Sequence, residues 1–119
     1  MSVNALLIYD IRESNASFLD GHLMEYREAF GETLRDLRRK FGLTQEAFLG
    51  VAAISTISRI ERGVQLPSFD MIVQFATILK IDTITLLMLA ETKKQGFDTP
   101  DEVIKRVIKQ LKPWTRHAD

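Results

Sequence analysis

Residues 44–63 read TQEAFLGVAAISTISRIERG, and the fold of the chain turns on how that stretch is arranged. The pattern predicts two short helices joined by a tight turn and closed by a glycine. Thr44 stands where a hydroxyl can cap the free amides of a first turn. Gln45 and Glu46 follow, and then an apolar inner face of Ala47, Phe48 and Val51. The second helix is expected from Ala53 or Ile54, with Ile57 and Ile60 on its inner side and Glu61 beside them. Ser55, Ser58, Arg59 and Arg62 fall on the opposite face. Gly63 stops the helix, because glycine takes the left-handed geometry just past a helix end at little cost.

Working outward, Tyr26–Lys40 has the period of an amphipathic helix: Phe30, Leu34, Leu37, Arg38 and Phe41 recur along one face. An arginine on an apolar side needs a partner when it is buried. Glu61 likewise lies on the apolar side of its helix. The two are expected to form a salt bridge between helices; the alternative is two exposed charges at frayed edges. Gly42 ends the Tyr26–Lys40 helix. Downstream, Leu66 precedes Pro67 and is biased toward extended backbone. Ser68 is expected to cap the next helix, with Asp70 in its first turn. Phe69, Ile72, Val73, Ala76 and Leu79 are its expected buried face. Ile81 and Asp82 should break it, before a short apolar helix over residues 84–90 capped by Asp82 or Thr83. Five helices with short connections predict a compact all-α bundle over residues 26–91.

Segments lie on both sides of that bundle. Residues 1–25 read as an arm, apolar at Leu6, Leu7, Ile8 and Tyr9 and again at Phe18, Leu19, Leu23 and Met24. One reading packs the arm on the core or leaves it partly disordered; the other makes it a dimerisation arm, since an exposed apolar patch calls for a partner. Residues 93–96 read as a polar hinge. Thr99, Pro100, Asp101 and Glu102 then have the order of a helix start, with a capping threonine, a proline at the first position and a glutamate reaching back. This additional C-terminal helix, within residues 97–119, carries Val103, Ile104, Val107, Ile108 and Leu111 on one face. That stripe is either core against the bundle or a two-fold dimer seam. Lys105, Arg106, Lys109 and Lys112 lie elsewhere on the helix, which Pro113 ends before Trp114.

Composition bounds the function. The 119 residues are 45% hydrophobic and 27% charged, as expected of a soluble globular chain. There is no cysteine, which excludes disulfides and thiolate metal sites. No apolar run approaches the roughly 20 residues of a membrane span, and the start lacks the basic and cleavage regions of a signal peptide; a cytoplasmic protein is expected. His22 and His117 lie near opposite ends, and no nucleophile–base pair, metal-ligand spacing or phosphate-binding glycine loop occurs. An enzyme is not expected, nor a cofactor. The formal net charge is zero, which counts against a nucleic-acid partner. Its distribution is uneven, however: residues 91–119 hold seven Lys or Arg against five acids, and Arg35, Arg38, Arg39 and Lys40 cluster in the middle.

A short helix with its apolar side inward and Ser, Thr and Arg outward suits the major groove of duplex DNA. The motifs support this. LRDLRRKFGLTQEAF at 34–48, STISRIERG at 55–63 and Pro67 with Ser68 make the chain resemble the helix-turn-helix regulators of the lambda-repressor and Cro type, often called XRE-like. The resemblance covers about half the chain. It implies a five-helix lambda-repressor-like bundle in which Arg38 pairs with Glu61, Gln45 lies near a phosphate, and positions matching Ile54, Ser55 and Arg59 contact bases or groove. It places Thr56 and Ser58 beside them and Arg62 on the backbone; Thr44 and Arg39 are read as further DNA contacts, Arg39 to phosphate. It implies a transcriptional regulator, here read as a repressor acting as a homodimer on an inverted repeat of double-stranded DNA. Two features depart from the family pattern: the turn at residues 50–54 is compressed, and residues 64–67 carry no Lys or Arg. The competing reading is a protein-interaction module, antitoxin-like or an anti-regulator partner, with weak DNA binding.

Overall fold

Helix α1 spans Tyr26–Lys40, the range its periodicity predicts, and the other elements are arranged around it. A computed structural model describes residues 24–116, so the possible dimerisation arm, apart from its last two residues, lies outside the described residues. After α1 come a 3-10 turn at Gln45–Phe48, α2 at Ile54–Glu61, α3 at Phe69–Leu79, α4 at Thr83–Lys94 and α5 at Asp101–Leu111, closed by a second 3-10 turn at Lys112–Trp114. The fold is all-α. Among the described residues there is no strand, and no single helix is long and apolar enough to cross a membrane.

The core is built where α1, α2, α3 and α4 meet. Phe30 and Leu34 of α1, Ile57 and Ile60 of α2, Phe75 and Leu79 of α3, and Leu86 and Ala90 of α4 form one cluster, with Phe48 of the first 3-10 turn at its centre. Phe48 meets Phe75 edge to face at 4.9 Å between ring centroids, the geometry that aromatic quadrupoles favour.

Several local expectations are corrected. The first short helix is one 3-10 turn, and the Thr44 hydroxyl makes no capping bond to it. Four residues suffice to seat Phe48, and Gly50 follows too soon for an α-helix to extend. Phe41 is 45% exposed, because it sits past the helix end, where Gly42 at φ 71° turns the chain. Phe69 is 66% exposed, while Phe75 is wholly buried. Phe69 overhangs the start of α3, and Val73 is rotated roughly 100° from Ile72, away from the core. Ser68 does cap α3, accepting a bond from the Met71 amide at 3.2 Å. Asp82 stands at the cap position of α4 without a side-chain bond, and Pro100 precedes α5 rather than opening it.

Helix α4 runs to Lys94, well past the expected stop at Ala90, because its last turn is tied to α1. Lys93 Nζ lies 2.8 Å from Asp36 and 3.6 Å from Glu32. The Tyr26 hydroxyl donates to Glu91, and the Lys94 ammonium lies 5.1 Å from the Tyr26 ring centroid. The hinge is reduced to Gln95 and Gly96, the latter at φ 77°.

These ties carry a pH dependence. Burial, and then the bond to Glu91, raises the Tyr26 phenol to about 12, and the bond to Asp36 raises Lys93 above its ordinary value. For both groups the folded state favours the proton-bearing form. Their contribution is therefore complete below about pH 10, the ordinary tyrosine value, and is lost as pH rises through the folded values. Thermal unfolding should show a midpoint falling between about pH 10 and 12, and Tyr26→Phe should flatten that fall. An unchanged slope in the variant would assign the loss to other groups.

Candidate nucleic-acid interface

Helix α2 is held from behind by a buried ion pair. Arg38 Nε lies 2.7 Å from Glu61 Oε2 and Nη2 lies 2.9 Å from Oε1, so the contact is bidentate. Arg38 Nη1 donates to the Leu43 carbonyl at 2.9 Å, and Gln45 Nε2 donates to Glu61 Oε1 at 3.0 Å. Arg38 and Glu61 are 8% and 3% exposed. The bond to Glu61 holds the Arg38 guanidinium further above its ordinary value. One network thus joins α1, the loop after it, the first 3-10 turn and the end of α2. A charge buried this deeply needs its partner and its remaining bonds satisfied, and here they are.

The backbones approach closely at the same crossing. A Cβ on Gly31 would lie 2.2 Å from the Ile60 carbonyl oxygen and 2.9 Å from that of Glu61. No other residue lets α1 cross the end of α2 at this distance. Gly63, at φ 77°, packs its open face onto Glu28, where a Cβ would fall 2.9 Å from the Glu28 Cα. Neither contact was drawn from the sequence. The signal for Gly31 was there, since a glycine inside a helix costs about 1 kcal/mol relative to alanine and usually has a packing reason.

With its inner side fixed, α2 turns its other face to solvent. Ser55, Arg59 and Arg62 are exposed, while Ile54, Thr56 and Ser58 are half-buried. Arg59 is not free to wave. Its Nε donates to the Gln65 side chain at 3.1 Å and its Nη2 to the Thr56 hydroxyl at 3.2 Å. A guanidinium has five N–H donors. These bonds take two and leave donors on both terminal nitrogens. Gln65, in the loop after α2, is a residue the sequence reading missed; nothing in the pattern marks it. Arg62 lies back along its own helix, with Nε 3.4 Å from the Ser58 carbonyl.

Gln45 is drawn inward, with one amide hydrogen committed to Glu61. Thr44 and Arg39 are exposed near the junction of α1 and the 3-10 turn. The Thr44 hydroxyl makes no cap; lying beside Glu46, it and the Glu46 backbone amide hold that carboxyl below its ordinary range. Beyond α2 the rim is apolar, with Val64 and Leu66 each 59% exposed. No group of His, Cys, Asp or Glu among the described residues could hold a metal ion.

Residues 29–86 match the model of the helix-turn-helix domain family. Comparison with curated proteins gives no match. Among solved structures, the chain is similar to the clp gene regulator ClgR from Corynebacterium glutamicum, with a TM-score of 0.58 and 21% sequence identity over 82% of this chain and 99% of that one. At that identity the likeness shows a shared fold.

Replacing Glu61 by Gln keeps shape and some hydrogen bonds but strands the Arg38 charge. Urea unfolding of Glu61→Gln should show a loss of about 3–5 kcal/mol. A loss well below that would mean the pair is not what holds α2.

Proposed function

We infer that this chain, whose residues 29–86 belong to the helix-turn-helix domain family, is a sequence-specific double-stranded DNA-binding transcriptional regulator. It acts in the cytoplasm as a homodimeric repressor and places α2 in the major groove. The observation that carries this reading is Arg59: on the solvent face of a helix locked from behind, two side chains steady a guanidinium whose terminal donors stay open. Such a fork matches guanine O6 and N7. Ordering the arginine before binding lowers the entropy lost when it meets a base.

Around Arg59 the other roles follow from position. Arg62 and Arg39 are exposed cations suited to phosphates, which set register without reading sequence. Gln45 keeps its second amide hydrogen for a phosphate, and Thr44 lies beside it. Ser55, Thr56 and Ser58 offer hydroxyls to base edges, and Ile54 offers an apolar contact to thymine methyls. One copy of α2 reads few base pairs. Two copies related by a two-fold axis would read an inverted repeat with half-sites one helical turn, roughly 34 Å, apart. A protein-interaction module, antitoxin-like or an anti-regulator partner, is the competing reading. The exposed Val64, Leu66 and Phe69 beside α2 and the zero net charge favour it.

Salt dependence separates the two. The protein should be retained on heparin and bind labelled duplex DNA with an affinity that falls steeply as salt rises. Arg62→Ala should reduce the salt slope by about 1, while Arg59→Ala should cost about 1–3 kcal/mol and relax preference at one base pair. Salt-insensitive or absent DNA binding would favour the interaction module, and a uniform loss across sequences in Arg59→Ala would make that residue a phosphate contact.

A further inference from the structure

The C-terminal helix is bound to the bundle by one edge only. Val103 is buried, and Arg106 reaches back to the Gln95 side chain, which in turn donates to Glu91. The Arg106 guanidinium also lies 5.9 Å from the Phe97 ring centroid. This fixes how α5 is turned. The result leaves its apolar stripe facing outward: Ile104, Ile108 and Leu111 are 39%, 62% and 50% exposed, and Trp114 just beyond is 81% exposed. Ile104, Ile108 and Leu111 fall within about 60° of each other around the helix, with Val103 roughly 100° from Ile104. An eleven-residue helix is marginal on its own in water and owes its order to packing of its apolar face. Here, among the described residues, most of that face packs on nothing.

The flanking charges indicate what covers it. Asp101 lies in the first turn and Lys112 just past the last, while Glu102 and Lys109 stand roughly 140–160° from Ile104, on the far side of the helix. Asp101 and Lys112 flank the same edge of the stripe, some 60–80° from Ile104 around the helix. A surface that is acidic at one end, basic at the other and apolar between is complementary to itself when turned end for end. A parallel copy would set like charges together. Duplex DNA would meet the carboxylates at one end and an apolar stripe in the middle.

We propose that the Ile104–Ile108–Leu111 face of α5 is a two-fold seam with a second copy of this chain. The two helices run antiparallel, Ile108 meets its counterpart at the axis, and Asp101 of each copy pairs with Lys112 of the other. Such an interface is isologous, and Trp114 closes both ends. It rests on the homodimer reading and supplies its geometry. A helix about 16 Å long buries less than the roughly 800 Å² per partner of a standard stable interface. The dimer is therefore weak in free solution and is reinforced when both copies of α2 are engaged.

Sedimentation equilibrium of the full chain tests this. The wild type should show a reversible monomer–dimer equilibrium. Ile108→Lys, a change at an exposed position that leaves the melting temperature of the monomer unchanged, should raise the dimer dissociation constant about 100-fold, as the loss of two buried isoleucines requires. Leu66→Lys, equally exposed but off the stripe, should have no effect. Asp101→Lys should weaken the dimer about fivefold, and adding Lys112→Asp should restore it. A wild type that stays monomeric, an Ile108→Lys dimer as tight as wild type, or a charge swap that fails to restore association would overturn the seam. Heparin retention in the same preparations reads DNA affinity separately. Retention without dimers rejects the seam alone, and dimers without retention reject the DNA reading while the seam stands.

Discussion

The bidentate contact between Arg38 and Glu61 is the constraint on which the rest of the structure depends. It joins the C-terminal half of α1 to the last turn of α2, and both partners are almost wholly out of water. A buried pair of this kind contributes little net stability compared with well-packed apolar residues. Its value here is positional. Two fixed oxygens, a planar fork, the Leu43 carbonyl and the Gln45 amide leave the end of α2 one place to sit. Gly31 makes that place reachable, since any side chain there would strike the Ile60 and Glu61 carbonyl oxygens. Electrostatics names the partner, and the missing Cβ sets the distance.

From that fixed helix the outer face follows. Ile57 and Ile60 are wholly buried, so Ser55, Arg59 and Arg62, which stand one, two or five residues from them and roughly 100–200° around the helix, face solvent. The same logic of one anchored edge and one free edge recurs at α5, where Val103 and Arg106 hold the helix and Ile104, Ile108 and Leu111 are left outward. Rigid packing behind and open chemistry in front is the arrangement expected of a surface that meets a large, pre-shaped partner.

Much of this was legible from residue order. The period of Tyr26–Lys40, the Ser68 cap and the Arg38–Glu61 tie all express local rules or a charge misplaced on an apolar face, and such signals survive without a structure. What was not legible depended on neighbours distant in sequence. The last turn of α4 persists because Lys93 and Glu91 find Asp36 and Tyr26 on α1, pairings that no pattern in α4 announces. Phe75, which the sequence reading omits in favour of Phe69, stands three residues after Ile72 and four before Leu79, on the face that meets Phe30 and Phe48. The Thr44 hydroxyl, which could accept from a first-turn amide, makes no capping bond, because nothing in the local sequence fixes its rotamer toward the turn. At the reading face, Gln65 was invisible because its bond to Arg59 follows from how the loop after α2 folds back.

The most direct measurement is selection of bound duplexes from a random DNA pool by the purified full-length protein. Recovery of an inverted repeat, with half-site centres about ten base pairs apart and a guanine at the position lost when Arg59 is replaced by Ala, is the result expected of α2 in the major groove of a two-fold dimer. A pool that emerges with no enriched sequence from a protein that is folded and homogeneous would contradict it.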